Sequence, residues 1–464
     1  MSQWRERNGA VVCLSLAMLM PSLDTGIANV GLPTLARAFA ASFQAVQWVI
    51  LAYLLAITSL IVGAGRLGDL LGRKWLLQAG IGLFTAASLA CGVAQAFWQL
   101  LAARAVQGLG AAIMMAMTVA LVGAAVPKAR TGRAMGLLGT MSAIGTMLGP
   151  SLGGFLIHAF GWRVIFLVNL PLGLLTMLLA QRHLPEDPPR LESARAAFDG
   201  MGTLLLALSL VAYALAMTIG KAGFGPLNVA LLLAALLALG LFLRFEAGAG
   251  SPLLPLARFR EPALQAALPM NAIVSTIMMA TLVVGPFYLS RALGLDPTRV
   301  GLIMAGGPLI SSLSGVMAGR AVDRWGAPRV VRLGLLEMAV GAAALATLPA
   351  EFGLAGYLAA ILILTPGYQL FQAANNTAVM MAADPDQRGV TSGLLSLSRN
   401  LGLITGASFM GAVFRFAAKA ADITTARPEA VAAGLRTTFE VAAALIILAA
   451  VSTRERGAER PQWI

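Results

Sequence analysis

Long apolar segments constrain the fold of this chain more than any other feature. A helix that crosses a membrane needs about 20 mainly apolar residues, and fourteen segments of the sequence meet this requirement. Charged residues make up only 11% of the chain, against about 25% in soluble domains. The sequence therefore predicts an all-α membrane protein. The predicted spans are 9–32, 46–65, 75–95, 99–126, 134–157, 162–181, 200–220, 227–245, 267–290, 300–318, 330–348, 354–382 (kinked at Pro366), 389–414 and 435–451.

Positive charge alternates between the loops that join these spans. Of the 33 Lys and Arg residues, 22 fall in the N-terminal tail and every second loop after it, nine in the opposite loops and two within spans, where residues in the outermost three positions of a span are counted with the adjoining loop. Basic residues concentrate on the cytoplasmic side of a membrane, so both termini are expected in the cytoplasm, with the chain in the cytoplasmic (inner) membrane. The net charge of +13 therefore does not indicate nucleic-acid binding, because no basic soluble region interleaved with aromatic residues is present.

Residues that bind metals or perform covalent chemistry are few and scattered. Cys13 and Cys91 fall in predicted helices, where buried thiols behave as small hydrophobic side chains. His158 and His183 lie at predicted helix ends and are expected at the membrane interface. Because no carboxylates, histidines or cysteines cluster at one depth, we expect no enzyme, no metal site and no cofactor.

One glycine-aspartate motif occurs twice, which indicates an internal duplication. The first copy is GRLGDLLGRK and the second is GRAVDRWGAPR, with the two aspartates 254 residues apart. Each copy is predicted to form a polar loop between two spans, where glycine permits a tight turn. The aspartate either pairs with an arginine in one conformation, as a latch, or the basic residues serve membrane topology alone. The candidate gating residues are Gly65, Asp69, Gly72, Arg73 and Asp323.

The duplication predicts two six-helix bundles separated by an unpaired hairpin, fourteen spans in all. Two repeats that rock around a shared site are the physical basis of a secondary transporter. The predicted parts are an N-terminal bundle (1–182), a cytoplasmic connector (183–199), an inserted transmembrane hairpin (200–245), a C-terminal bundle (246–452) and a cytoplasmic tail (453–464).

Two charged residues are predicted at membrane depth in the first half. Asp24 lies in LDTGIANVGLP and Arg104 in ARAVQGLGAA. A charge in the middle of a membrane costs about 2.5–3.5 kcal/mol on insertion scales, and is a functional hypothesis by default. Asp24 is either a proton-coupling carboxylate or a structural acid bonded to Thr25 or Asn29. Arg104 is either its partner in a relay or a tether between helices.

Glycines recur in the fifth predicted span, GTMLGPSLGG. Glycines four residues apart let helix backbones approach closely, and a proline can kink a helix. The second half keeps the glycines at an offset of 257 residues but has Ala407 and Met410 in place of the proline and one glycine. The candidate hinge residues are Gly145, Gly149, Pro150, Gly153 and Gly154.

Polar residues in spans are candidates for the wall of a substrate cavity. The twelfth span carries several amides with interleaved aromatic residues, which suits an amphipathic substrate. Glu337 and Arg399 are also predicted within the membrane, and the sequence leaves their roles open. The candidate cavity residues are Asn29, Gln107, Tyr368, Gln372, Asn375 and Asn376.

Together these motifs resemble the major facilitator superfamily over nearly the whole chain. The unpaired hairpin and the run GWRVIFLVNLPLG look like its fourteen-span drug:proton antiporter branch, and GTMLGPSLGG is similar to the antiporter motif of exporters. The resemblance implies two bundles that alternate access, with Asp24 and Arg104 in proton coupling, Asp69 and Arg73 in gating, and Gly149-Pro150 as the hinge. The C-terminal cavity helices lack the acids that some relatives use for cationic drugs, so neutral, zwitterionic or monocationic cargo is expected.

The leading hypothesis is therefore a monomeric, proton-coupled exporter of small amphipathic compounds. Its expected partners are protons, its substrate and the lipid bilayer. One alternative keeps the fold but exports a native metabolite such as an antibiotic, a siderophore or an amino acid. Another is a membrane sensor that binds substrate without proton-driven flux.

Overall fold

Helices account for all the regular structure in the described part of the chain. The computed structural model describes residues 2–125, 131–184, 186, 199–219, 225–248, 261–382, 388–420 and 422–458. Helices dominate because a backbone in lipid must satisfy its own hydrogen bonds. The helices are α1 (Ser2–Ala38), α2 (Phe43–Leu71), α3 (Arg73–Val93), α4 (Phe97–Ala125), α5 (Thr131–Phe160), α6 (Val164–Leu167), α7 (Asn169–His183), α8 (Gly200–Thr218), α9 (Pro226–Gly248), α10 (Pro262–Phe287), α11 (Pro297–Trp325), α12 (Ala327–Ala382), α13 (Arg388–Thr405), α14 (Gly411–Ala418) and α15 (Pro428–Ala458), with π-helical turns at Tyr288–Ala292 and Gly406–Met410.

These helices form two compact units. The first contains α1, α2 from Ala45 onward, and α3 to α9; the second contains α10 to α15. The predicted connector falls almost entirely outside the described residues, as do the link between α8 and α9, residues 249–260 and the last six residues of the tail.

The number of spanning helices is lower than the predicted fourteen. Twelve described helices are long and apolar enough to cross a membrane, or thirteen when α11 is counted as one bent span. One of the twelve is α12, whose 56 residues contain a non-helical residue at Gly353 (φ 53°, ψ −123°). Helical dihedral angles continue through Pro366, and the non-helical residue Gly353 lies between the predicted spans 330–348 and 354–382.

The same close contact between two neighbouring helices occurs in both units. In the first unit, a Cβ atom added to Gly110 would lie 2.7 Å from the Phe84 backbone nitrogen and 2.9 Å from the Gly80 carbonyl oxygen. In the second unit, a Cβ atom on Gly367 would lie 2.8 Å from the Met338 nitrogen and 3.0 Å from the Gly334 oxygen. Gly80 and Gly334 are 254 residues apart, so the duplication read from the sequence extends to backbone packing.

The glycines of the fifth predicted span pack against α1. A Cβ atom on Gly149 would lie 2.7 Å from the Gly26 Cα atom, and one on Gly145 would lie 2.7 Å from the Leu19 carbonyl oxygen. The second unit repeats this arrangement between α13 and α10, where a Cβ atom on Gly402 would lie 2.2 Å from the Ala272 oxygen. Only glycine allows these backbones to approach so closely.

The duplicated motif is helical over most of its length, so the prediction of a polar loop is wrong. In the first copy, Gly65 to Leu71 belong to α2, and in the second copy Gly319 to Trp325 belong to α11. One glycine alone separates the two helices in each copy: Gly72 (φ 96°, ψ 133°) and Gly326 (φ 79°, ψ 149°). These positive φ angles suit glycine and make the turn tight. Gly65 and Gly319 have open space where a Cβ atom would lie.

Helices α8 and α9 form a hairpin whose first helix is capped at its start and joined to the second at the turn between them. Asp199 caps α8 by accepting a hydrogen bond from the Gly202 backbone N–H at 2.7 Å. At the other end, the Asn228 amide donates to the carbonyl oxygens of Ala216 and Ile219, at 2.7 Å each. Exposed leucines cover much of α9, as expected for a helix that faces lipid.

Candidate functional site

Asp24 lies at the centre of a buried polar network in the first unit. It is 1% exposed, and both of its oxygens accept hydrogen bonds. Arg104 Nη1 lies 2.5 Å from Oδ2. Gln107 Nε2 donates to Oδ1 at 2.9 Å, and Asn169 Nδ2 donates to the same oxygen at 2.8 Å. Three donors from two other spans thus surround one carboxylate.

Arg104 is as deeply buried as Asp24 and is held by more than its charge. Its Nε donates to the Val49 carbonyl oxygen at 2.9 Å, and its Nη1 to Gln107 Oε1 at 2.7 Å. Its guanidinium carbon lies 4.2 Å from the centre of the Tyr53 ring, within range of a cation–π interaction. Removal of one partner from a buried ion pair typically costs about 3–5 kcal/mol, so this network fixes α1, α2 and α4 together.

A second layer of polar contacts orients Gln107. Its Nε2 also donates to Ser88 Oγ at 2.7 Å, and Ser88 in turn donates to the Phe84 carbonyl oxygen at 2.8 Å. The Cys91 thiol lies 3.8 Å from Gln107 Oε1. These contacts orient the amide so that its nitrogen faces Asp24.

The spacing of residues along each helix explains why this network forms. Arg104 and Gln107 are three residues apart on α4, and Ser88 and Cys91 are three apart on α3, so each pair shares one helix face. Asn169 is the first residue of α7, next to the break after α6. The sequence suggested Asp24 and Arg104 as partners and assigned Gln107 to the substrate cavity; the structure places all three together.

Sequence reasoning missed Asn169, Ser88 and Tyr53 as members of this network. Asn169 carried a usable signal, because it is the only amide in the apolar run VIFLVNLPLG. Ser88 and Tyr53 carried none, since serine and tyrosine are common in spanning helices.

Among the residues that the structure describes, the second unit has no equivalent of this network. At the offsets that align the two halves, apolar residues occupy the positions that correspond to five members of the network. They are Ile277 for Asp24, Ala342 for Ser88, Leu345 for Cys91, Ile361 for Arg104 and Leu364 for Gln107. All five are buried. The aligned positions therefore hold a buried ion pair in the first unit and apolar side chains in the second.

The other predicted cavity residues lie in two places. Asn29 is buried on α1, and neither atom of its amide has a hydrogen-bond partner in the described part of the chain. Tyr368, Gln372, Asn375 and Asn376 lie on α12 in the second unit, where Gln372 donates to the Tyr368 hydroxyl at 3.0 Å.

The predicted gating residues lie at the ends of helices. Asp69 belongs to α2, and its side chain is outside the described part of the structure. Arg73 begins α3, and Asp323 is exposed near the end of α11. Glu337 is half-buried on α12, and Arg399 is exposed on α13.

Lys74, next to Arg73, has a role that the sequence did not indicate. It is buried, and its ammonium group donates to the Leu184 carbonyl oxygen at 3.0 Å and to Glu186 Oε1 at 2.8 Å. A positive charge at the C-terminal end of a helix stabilises that end, so Lys74 fastens the end of α7 to the start of α3. Pro328 occupies the corresponding position in the second copy.

Comparison with known proteins identifies the family. Residues 14–407 match the Major Facilitator Superfamily, and residues 267–460 match it again. The riboflavin transporter RibZ of Clostridioides difficile (strain 630) is 29% identical over 404 residues, which cover 87% of each chain. The drug efflux pump JefA of Mycobacterium tuberculosis (strain ATCC 25618 / H37Rv) is 32% identical over 417 residues, covering 87% of this chain and 79% of the relative.

Solved structures agree on the fold. A bacterial homologue of the human lysosomal transporter Spinster superposes with a TM-score of 0.70 at 16% identity, covering 99% of each chain. The chain is a multi-pass membrane transporter rather than an enzyme, and it belongs to the Major Facilitator Superfamily.

Proposed function

We propose that this protein is a proton-coupled exporter of small amphipathic compounds that works by alternating access. The observation that carries this proposal is the buried network around Asp24, the one carboxylate among the described residues that is held by an arginine and two amides inside the first unit. A charged group kept at membrane depth, at high cost, is typical of proton pathways.

Protonation gives this network two alternative states. The ionised Asp24 only accepts hydrogen bonds, and it balances the charge of Arg104. A proton on Asp24 removes that balance and turns one acceptor oxygen into a donor, which faces Arg104 or the two amide nitrogens. The protonated state therefore favours a different packing of α1 against α4, and a proton can bias a conformational change.

The close backbone contacts of α1 suggest how that change spreads. Gly145, Gly149 and Gly153 of α5 lie directly against the α1 segment that carries Asp24. In our proposal a shift of α1 moves α5 with it, because tightly packed helices transmit displacement. Pro150, which adjoins this contact, serves as the hinge.

The cargo is proposed from the relatives and from the polar α12 face. JefA is named as a drug efflux pump, and the amides of α12, with Tyr368 among them, suit a compound with both apolar and polar parts. RibZ is named as a riboflavin transporter, which favours a native metabolite as the second candidate on the same fold.

We also propose that the chain crosses the membrane fourteen times, with both termini in the cytoplasm. In this proposal the protein is a monomer in the inner membrane. A single crossing needs roughly 20 residues, and each arm of α12 on either side of Gly353 exceeds that length. Counting the two arms separately, together with the bent α11, gives the fourteen-span arrangement.

The proposal is tested by flux through Asp24→Asn in inverted membrane vesicles. With an imposed pH gradient, a fluorescent amphipathic substrate should be transported by the native protein and not by the variant, because an amide cannot release a proton. Glu440→Gln is the matched control: Glu440 is an exposed acid paired with Arg436 on α15, and its loss should leave transport intact. Undiminished proton-driven flux in Asp24→Asn would remove Asp24 from the mechanism.

A further inference from the structure

The second unit contains a polar cleft that is separate from the Asp24 network of the first unit. It lies among three helices, α10, α12 and α13. The polar and flexible residues that line it are Asn271, Gln372, Asn376, Met380, Ser396 and Arg399.

Arg399 makes this cleft electropositive. It lies inside the candidate span Gly393–Ala418, its side chain is exposed, and it has no hydrogen bond or ion pair with any residue that the structure describes. The sequences of α10, α13 and the arm of α12 after Gly353 contain no Asp or Glu. A charged arginine in a membrane span normally pairs with an acid or faces a wet cavity, so this guanidinium is left to an external anion.

The amides beside Arg399 also have unused hydrogen-bonding atoms. Asn271 is 2% exposed; its Nδ2 donates to the Leu395 carbonyl oxygen at 2.9 Å, and its Oδ1 has no partner among the described residues. Gln372 donates to Tyr368, and its Oε1 has no partner there either. A buried polar atom without a partner is unfavourable, and a bound polar group would supply the missing hydrogen bond.

We propose that this cleft binds a carboxylate of the transported compound, so that the cargo is an amphipathic acid or zwitterion. Arg399 supplies the counter-charge, because its planar fork matches a carboxylate in a bidentate pair. The free oxygens of Asn271 and Gln372 accept hydrogen bonds from N–H or O–H groups next to that carboxylate. The absence of Asp and Glu from α10, α13 and the arm of α12 after Gly353 argues against a cationic group at the same place.

This inference rests on the proposed transport function, and its test is therefore a binding measurement that needs no proton gradient. The purified full-length protein in lipid nanodiscs is titrated with N-dansyl amino acids, each compared with its own methyl ester. The ester keeps the size and the apolar part but has no negative charge. The acids are expected to bind about tenfold or more tightly than their esters, in line with the strength of charge-assisted hydrogen bonds.

The variants identify the residue responsible. Arg399→Gln should remove the preference for the acid, and Arg399→Lys should keep part of it. Arg332→Gln, which removes a positive charge from an exposed position on α12, should leave the preference unchanged. Equal binding of acids and esters, no binding of any acid, or an intact preference in Arg399→Gln would overturn the inference. Loss of proton-driven flux alone would not overturn this inference, so the binding proposal and the transport proposal can be refuted separately.

Discussion

At the scale of single residues, charge at membrane depth was the feature that sequence could locate. Asp24 and Arg104 stand out in apolar runs because each costs so much there that a partner is required. The neutral members of the network, Asn169 and Ser88, carry a smaller cost, and nothing local indicates which helix they face. Their contact with Asp24 and Gln107 depends on packing between spans that are far apart in sequence.

The buried ion pair makes a prediction about stability. Arg104→Gln leaves the Asp24 carboxylate buried without its counter-charge, and should cost about 3–5 kcal/mol. The double variant with Asp24→Asn removes both charges and should be more stable than Arg104→Gln alone. Thermal unfolding in detergent, followed with a thiol-reactive dye, measures both, because Cys13 and Cys91 are buried in the folded protein.

Arg332→Gln serves as the control for loss of an arginine at an exposed position, and its unfolding temperature should match that of the native protein. A double variant that unfolds no later than Arg104→Gln would show that the charge pair does not determine the stability of this region.

At the scale of helices, the sequence predicted the elements better than their ends. The duplicated motif was expected to form a loop because it is polar and rich in glycine, yet helix continues through it until Gly72 and Gly326. A helix end that projects from the membrane needs no apolar residues, so hydropathy cannot show where it stops. Gly353 breaks α12 although Pro366 does not, since prolines are tolerated in spans whose freed carbonyls find other partners.

The glycine contact between α1 and α5 gives a prediction at this scale. In Gly149→Ala the new methyl group would meet the Gly26 Cα atom at 2.7 Å and the Leu23 carbonyl oxygen at 2.9 Å. Neither is a flexible side chain, so the helices must separate, at a cost of about 1–3 kcal/mol. The same thermal assay should show a lower unfolding temperature.

Gly240→Ala is the matched control, because a Cβ atom there meets nothing within 4 Å. Alanine is favoured over glycine within a helix by about 1 kcal/mol, so this variant should unfold at the same temperature or slightly higher. Equal effects of the two substitutions would mean that the α1–α5 contact does not require glycine.

At the scale of the whole molecule, the fourteen-span topology that we propose would place the break at Gly353 outside the cell. Glu351 is exposed beside that break, and Glu351→Cys should react with a membrane-impermeant maleimide added to intact cells. Arg329→Cys, exposed just after Gly326, should react only after the cells are permeabilised. The native protein should give little background, since both of its cysteines are buried.

Protection of Glu351→Cys in intact cells, with labelling after permeabilisation, would contradict the proposed topology. The succession of long apolar helices was predictable, because hydropathy acts over the whole chain. The chemistry of each half was not, because the alignment of Asp24 with Ile277 shows only that the halves differ, and not what surrounds either position.

The membership of the Asp24 network has a consequence for how a proton gradient is used. Each described residue that donates a hydrogen bond to the carboxylate belongs to the first unit. A movement of that unit as a rigid body would leave all of these distances unchanged, so the proposed repacking of α1 against α4 would have to occur within the unit. In a transporter of this design, the timing of proton uptake and release would be set by which side of the membrane supplies water to the site.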